Sequence, residues 1–247
     1  PFELPEYQDS LVQCITAANP NTVVLLNAGG NVDMSKWIDK VPSLLHLWYA
    51  GQEGGTAVAE ILFGKVNPSG KLPISFEKKW EDNPAYPYYY DVDGDKRVEY
   101  KEGLFMGYRH YDVSETKPQF AFGYGMSYTT FKYSDLRIDR EKGRDLVVKI
   151  RFTVKNTGKH DGAETAQVYI RPINPKVERP YKELKGFAKH FIRKNTVQEI
   201  EITLDKDAFS YYKTELKDFD YDVGSYEVLV GSASDDIRLR KVIQIEK

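Results

Sequence analysis

The sequence has a single cysteine, Cys14, among 247 residues, which excludes an internal disulfide. Cys14 falls on the apolar side of a helical pattern, and the pattern predicts core packing for it. One cysteine does not fix the compartment, because periplasmic and secreted proteins need not use disulfides. A periplasmic or secreted setting is placed ahead of a cytoplasmic one. An excess of one charge is also absent: 35 Lys and Arg against 37 Asp and Glu leave a net charge of −2. That balance gives no electrostatic reason to bind nucleic acid or an anionic membrane. No apolar run approaches the ~18 residues that cross a bilayer, so neither nucleic acid nor membrane is an expected partner. The four histidines, His46, His110, His160 and His190, lack metal-ligand spacing. No metal site and no cofactor are expected. No Ser-His-Asp or Cys-His arrangement can be assembled, and G-x-G-x-x-G is missing. Gly70-Lys71 is followed by Leu72, which rules out a phosphate-binding loop. The chain opens Pro-Phe-Glu-Leu-Pro, without Met and without a basic-then-apolar leader. The expectation is a segment of a longer polypeptide.

What is present divides into two patterns, which suits a length of two domains at about 100–150 residues each. In the first, Leu11, Cys14, Ile15 and Ala18 recur at helical spacing after Pro5. Thr22 to Asn27 and Ser43 to Trp48 are short apolar runs that read as buried strands. Met34, Trp37 and Ile38 suggest a short helix between them. Glu53 to Phe63 reads as a helix stopped by Gly64. Strand, helix, strand, helix predicts a partial parallel-sheet α/β domain over residues 1–134. Tyr88 to Val92 and Lys96 to Tyr100 flank Asp93-Gly94, a two-residue turn signal that predicts a hairpin before the linker. From about Asp135 alternation takes over, in Leu146–Val154, Thr165–Ile170, Glu199–Leu204, Ser225–Val230 and Leu239–Ile245. Short alternating strands predict an all-β sandwich of immunoglobulin or fibronectin type III kind over residues 135–247.

Candidate site residues come from two glycine-containing loops, Ala28-Gly-Gly-Asn31 and Gly51-Gln-Glu-Gly-Gly55. Each follows a predicted parallel strand, and ligands of open α/β sheets gather at that carboxyl edge. Gly29, Gly30, Gln52 and Glu53 are therefore the expected lining residues. Glu53 has two readings, a ligand contact or a charge at a helix N-terminus worth ~0.5 kcal/mol. Asp91, Asp93, Asp95 and Glu102 have the spacing of a calcium loop, but Lys96 stands where such a loop needs glycine. They read as a solvated tip.

Residue patterns reach no reaction by themselves, but a resemblance does. Ala18–Asp33, Trp48–Gly55, Leu62–Pro73, Glu102–Asp112, Phe122–Phe131 and Val154–Gly158 resemble family 3 glycoside hydrolases of the β-glucosidase kind, in order along nearly the whole chain. The resemblance implies a three-part enzyme: an N-terminal barrel, an α/β sandwich domain and a fibronectin type III-like domain. It implies retaining, exo-acting release of terminal β-linked glucose from oligosaccharides or glycosides. Retention needs two carboxyl groups. In the family the nucleophile is an Asp on the barrel and the acid/base a Glu before the point matching Pro1. No catalytic residue is therefore expected in this chain. The expected partners are the β-linked substrate, the N-terminal barrel portion of the same enzyme, and a second copy in a homodimer. The rival expectation is a non-catalytic module that binds carbohydrate or braces other domains.

Overall fold

A computed structural model describes residues 2–92, 94–141 and 146–246. Pro1, Asp93, residues 142–145 and Lys247 lie outside the described residues, and with them half of the expected Asp93-Gly94 turn. The chain forms two compact units whose segments interleave. The first contains residues 1–66, 75–107 and 114–120. The second contains residues 67–74, 108–113 and 121–247. The division follows long-range packing, so residues 67–74, 108–113 and 121–134, all upstream of Asp135, belong with the sandwich.

In the first unit, helix α1 (Gln8–Ala18), strand β1 (Val23–Leu26), strand β2 (Ser43–His46) and helix α2 (Gly54–Leu62) follow the expected order. Strands β1 and β2 pair in parallel, from Val23 opposite Ser43 to Leu26 opposite His46. The buried centre of this unit is Leu26, Met34, Trp37 and Phe76. The described part of helix α2 stops at Gly64, whose φ of +73° is the left-handed conformation that glycine adopts without a Cβ penalty.

Three expectations fail here. Cys14 is exposed, not packed. The Trp37 indole nitrogen donates to Asp9 at 2.9 Å and Gln13 donates to the Lys36 carbonyl at 2.7 Å, so these anchors set the rotation of α1. They turn Thr16 inward and leave Leu11, Cys14 and Ile15 outward. Strand β1 is also only partly covered, with Val23 and Leu25 each 43% exposed. Third, no strand forms among the described residues of 88–100. Tyr86–Tyr89 is a single helical turn with Pro87 in its first turn. The Asp91 carboxylate accepts the amides of Gly94 (2.8 Å) and Lys96 (2.9 Å), a local side-chain-to-backbone arrangement in place of strand pairing.

The second unit is a sandwich of two antiparallel sheets. Its strands are β3 (Phe131–Arg140), β4 (Val148–Asn156), β5 (Gly162–Pro172), β6 (Glu183–Ile192), β7 (Val197–Leu204), β8 (Tyr211–Lys213), β9 (Asp218–Asp220), β10 (Gly224–Ala233) and β11 (Asp236–Ile245). One sheet runs β11-β10-β5-β6 and the other β3-β4-β7, with β8 and β9 as a separate pair. Inward residues of both sheets, including Ile150, Phe152, Val168, Ile200, Val228 and Val230, close one core. Four strands were not expected, the short pair β8 and β9 and, within the two sheets, β3 and β6. Alternation in β3 is broken by a register shift between Ser134 and Arg137, with Asp135 at φ +57°. Strand β6 is interrupted by Gly186 and carries Phe187 and Phe191 outward, 68% and 64% exposed. Outward aromatics hide the period of two.

Candidate functional site at the carboxyl ends of the parallel strands

Parallel pairing brings the ends of β1 and β2 to the same edge, and both glycine-containing loops leave from it. The edge continues one residue further, where the Leu47 amide donates to the Leu26 carbonyl at 2.8 Å. Between the loops lies His46. Its Nε2 is 3.2 Å from the Gly30 carbonyl oxygen, and its Nδ1 accepts the Trp48 amide at 3.2 Å. The imidazole stacks on the Trp48 ring, centroids 4.4 Å apart, and tilts against Phe76 at 5.2 Å. Burial pushes the His46 pKa down, opposed in part by the Gly30 carbonyl. Trp48 holds φ +52°, rare for an aromatic residue. Sequence reasoning treated His46 as one of four histidines without ligand spacing, and no local signal gave it this place.

Gly29 is exposed and Gly30 partly buried. A Cβ on Gly29 would collide with the Tyr49 hydroxyl, so the tyrosine of the second loop lies close over the glycine of the first. Asn31 anchors the far end of its loop by donating to the Glu77 carbonyl at 3.0 Å and to its carboxylate at 2.8 Å. Gln52 and Glu53 are both exposed. The Glu53 carboxylate accepts the Thr56 hydroxyl at 2.8 Å, a bond inside its own helix start. An open concavity of about 520 Å³ adjoins these loops. Leu25, Asn27, Leu47, Tyr49, Gly54 and Val58 are among its walls, and Gly29, Gly30, Gln52 and Glu53 are not. The edge thus combines aromatic surface, backbone groups and one carboxylate, which suits holding a polar ligand better than breaking a bond. Among the described residues no cluster of three or more His, Cys, Asp or Glu could hold a metal ion.

The other motifs quoted for the resemblance fasten the sandwich unit internally. Lys71 lies 3.6 Å from the buried Glu164 carboxylate and donates to the Gly125 carbonyl at 3.1 Å. Tyr133 donates its hydroxyl to Glu164 at 2.8 Å. Burial, then the neighbouring Glu164 charge, pushes the Tyr133 pKa far up, so this phenol remains a donor. A Cβ on Gly125 would strike the Gly70 backbone oxygen, which explains glycine there. Asn156 is fully buried. Its amide donates to the carbonyls of His160 (2.8 Å) and Ile192 (3.0 Å), while its oxygen accepts Thr129 Oγ1 (2.6 Å) and the Gly158 amide (3.1 Å). Arg109 pairs with Glu183 at 3.0 Å, and Asp112 with buried Lys182.

Residues 1–128 match the glycosyl hydrolase family 3 C-terminal domain, and residues 164–234 match the fibronectin type III-like domain. The chain is 43% identical over 245 residues to thermostable beta-glucosidase B of Acetivibrio thermocellus, covering 99% of this chain and 32% of that protein. It superposes on the crystal structure of a beta-glucosidase from Kluyveromyces marxianus in complex with glucose, with a TM-score of 0.92 and 41% identity, covering 100% of this chain and 29% of that one. Beta-glucosidase 3B from Thermotoga neapolitana, also in complex with glucose, gives a TM-score of 0.91 at 33% identity over 100% of this chain and 34% of that one. The chain therefore spans about a third of the length of the relatives it matches. With its first 128 residues in the C-terminal domain of that family, the chain belongs to glycosyl hydrolase family 3.

Proposed function

We propose that this chain is the C-terminal portion of a retaining, exo-acting β-glucosidase that releases terminal β-linked glucose from oligosaccharides or glycosides. The observation that carries the reading is the superposition of the whole chain on a β-glucosidase bound to glucose, at a TM-score of 0.92 and 41% identity. Retention needs two carboxyl groups about 5–5.5 Å apart. At the carboxyl ends of β1 and β2 the candidate carboxylate is Glu53, and Thr56 already binds it. This reading puts the nucleophilic Asp and the acid/base Glu outside the chain, on the remainder of the same enzyme. It gives Gly29, Gly30, Gln52 and Glu53 a lining role where that remainder meets the sheet edge. The uncovered apolar groups Leu11, Ile15, Val23 and Leu25 support a surface that the remainder covers.

The test is hydrolysis of an aryl β-glucoside by the complete enzyme and by the purified chain. The complete enzyme turns it over and the chain does not. Turnover by the chain, abolished by changing a carboxylate within it, overturns the proposal.

A further inference from the structure

The neutral form of His46 is written into its contacts. An amide N–H only donates and a carbonyl oxygen only accepts. Nδ1 faces the Trp48 N–H and Nε2 faces the Gly30 oxygen, so Nδ1 is the bare nitrogen and Nε2 carries the proton. One ring thereby joins the loop after β1 to the loop after β2. The ring packs against aromatic surface, stacked on Trp48 at 4.4 Å and tilted against Phe76 at 5.2 Å. The loop 27–31 brings no titratable group to it. The loop 47–53 brings Tyr49 and Glu53, and Glu53 is bonded to Thr56. The segment carrying Phe76 brings Glu77, whose two carboxylate oxygens accept the side-chain amides of Asn31 (2.8 Å) and Asn83 (2.8 Å). An imidazolium would therefore meet committed carboxylates, and its second N–H would point at the Trp48 N–H. The ring or the Trp48 peptide would have to turn. Trp48 is already at φ +52°, a sparsely populated conformation held by its surroundings.

We infer that neutral His46 is the positioning residue that fastens the Gly29–Gly30 loop to the Trp48–Tyr49 loop, and that protonating it parts the two. The direction of its pKa agrees, since burial favours the neutral ring. In its consequence for sugar binding the inference rests on the proposed lining role of these loops.

The experiment uses the complete enzyme, His46→Leu and His46→Gln. Hydrogen exchange is followed in peptides covering residues 27–31 and 47–51, corrected for the intrinsic pH dependence of exchange. Protection of the wild type falls about ten-fold as pH drops below the imidazole range. His46→Leu is poorly protected at every pH. His46→Gln, whose amide can both donate to Gly30 and accept from Trp48, keeps protection and loses the pH dependence. In parallel, the KM for an aryl β-glucoside rises about ten-fold in the same window for the wild type and stays flat for His46→Gln. Flat wild-type protection, or unchanged protection in His46→Leu, overturns the fastening role. Protection that titrates while KM does not upholds the fastening and sinks the lining role of the loops. A KM that titrates through His46 while protection stays flat does the reverse. Should His46→Leu fail to fold, the wild-type pH series against His46→Gln decides alone.

Discussion

The sandwich unit and the α/β unit handle apolar surface in opposite ways. In the sandwich, Val148, Ile150, Phe152 and Val154 on one sheet meet Val168, Ile170, Val228 and Val230 on the other, each 1% exposed or less. In the α/β unit, Leu11 is 58% exposed and Val23 and Leu25 are 43% exposed. The first unit's two strands form a parallel pair, and parallel sheets are covered on both faces in the folds that contain them. The contrast teaches that family motifs serve two purposes in one chain. Motifs around Lys71, Gly125 and Asn156 close the sandwich upon itself. Motifs around Gly29 and Glu53 shape an edge that presents groups outward.

The strongest test of that contrast is Asn156→Ala. It strips four hydrogen bonds from a fully buried amide, two of them to the carbonyls of His160 and Ile192. A loss of about 4 kcal/mol in the sandwich is expected, read from denaturant unfolding. Next comes Lys71→Met, which removes the cation nearest the buried Glu164 carboxylate. It should cost about 3 kcal/mol by the same measurement. A loss below ~0.5 kcal/mol in either variant would show that these motifs do not hold the sandwich together.

Glu53→Gln in the complete enzyme separates the edge from the core. A ligand contact predicts about a ten-fold loss of kcat/KM, ~1.4 kcal/mol, with the melting temperature little changed. Unchanged kinetics with a lower melting temperature would return Glu53 to bracing its helix through Thr56.

The smallest effect is in pH. The His46 pKa is lowered from 6.5 on folding, so its contribution is complete above 6.5 and lost as pH falls through the lowered value. Asp236 behaves alike in a more acidic window. The hydrogen bond from Arg238, with help from Ser232 and against burial, holds its carboxyl below the ordinary 3.8. Its contribution is complete above 3.8 and lost as pH falls through the depressed value. Burial lowers the pKa of His110, in the sandwich unit, in the same direction. Acid should therefore loosen the segments around His46 and His110 before the Asp236 contact, seen as two separated steps in hydrogen exchange. Loosening of the Asp236 contact together with the histidine segments would contradict this order.

Much of the fold was legible because it repeats locally. Alternation in β4, β5, β7, β10 and β11, and apolar runs in β1 and β2, can be read from neighbours one or two residues away. Strands β3 and β6 escaped because a bulge and outward aromatics break the period. The hairpin signal at 88–100 failed where the Asp91 side chain binds the amides of Gly94 and Lys96 in a local arrangement that competes with strand pairing. In the candidate site, the edge was legible from strand-loop order, while His46 was not. Its partners Gly30 and Phe76 are 16 and 30 positions away, and no periodicity encodes them.

The sequence by itself determined the parallel pair, the alternating strands, the stop of α2 at Gly64 and the family motifs in order. These rest on backbone sterics and side-chain period, which act over a few residues. Only the tertiary structure decided that Asp9 and Gln13 would turn α1 so that Cys14 faces outward. Only it decided that Lys71 would meet Glu164, that Asn156 would satisfy four groups from separate segments, and that His46 would join two loops. Those outcomes depend on which distant groups share a buried space, where an unpaired polar atom is costly and each partner must be supplied by the fold.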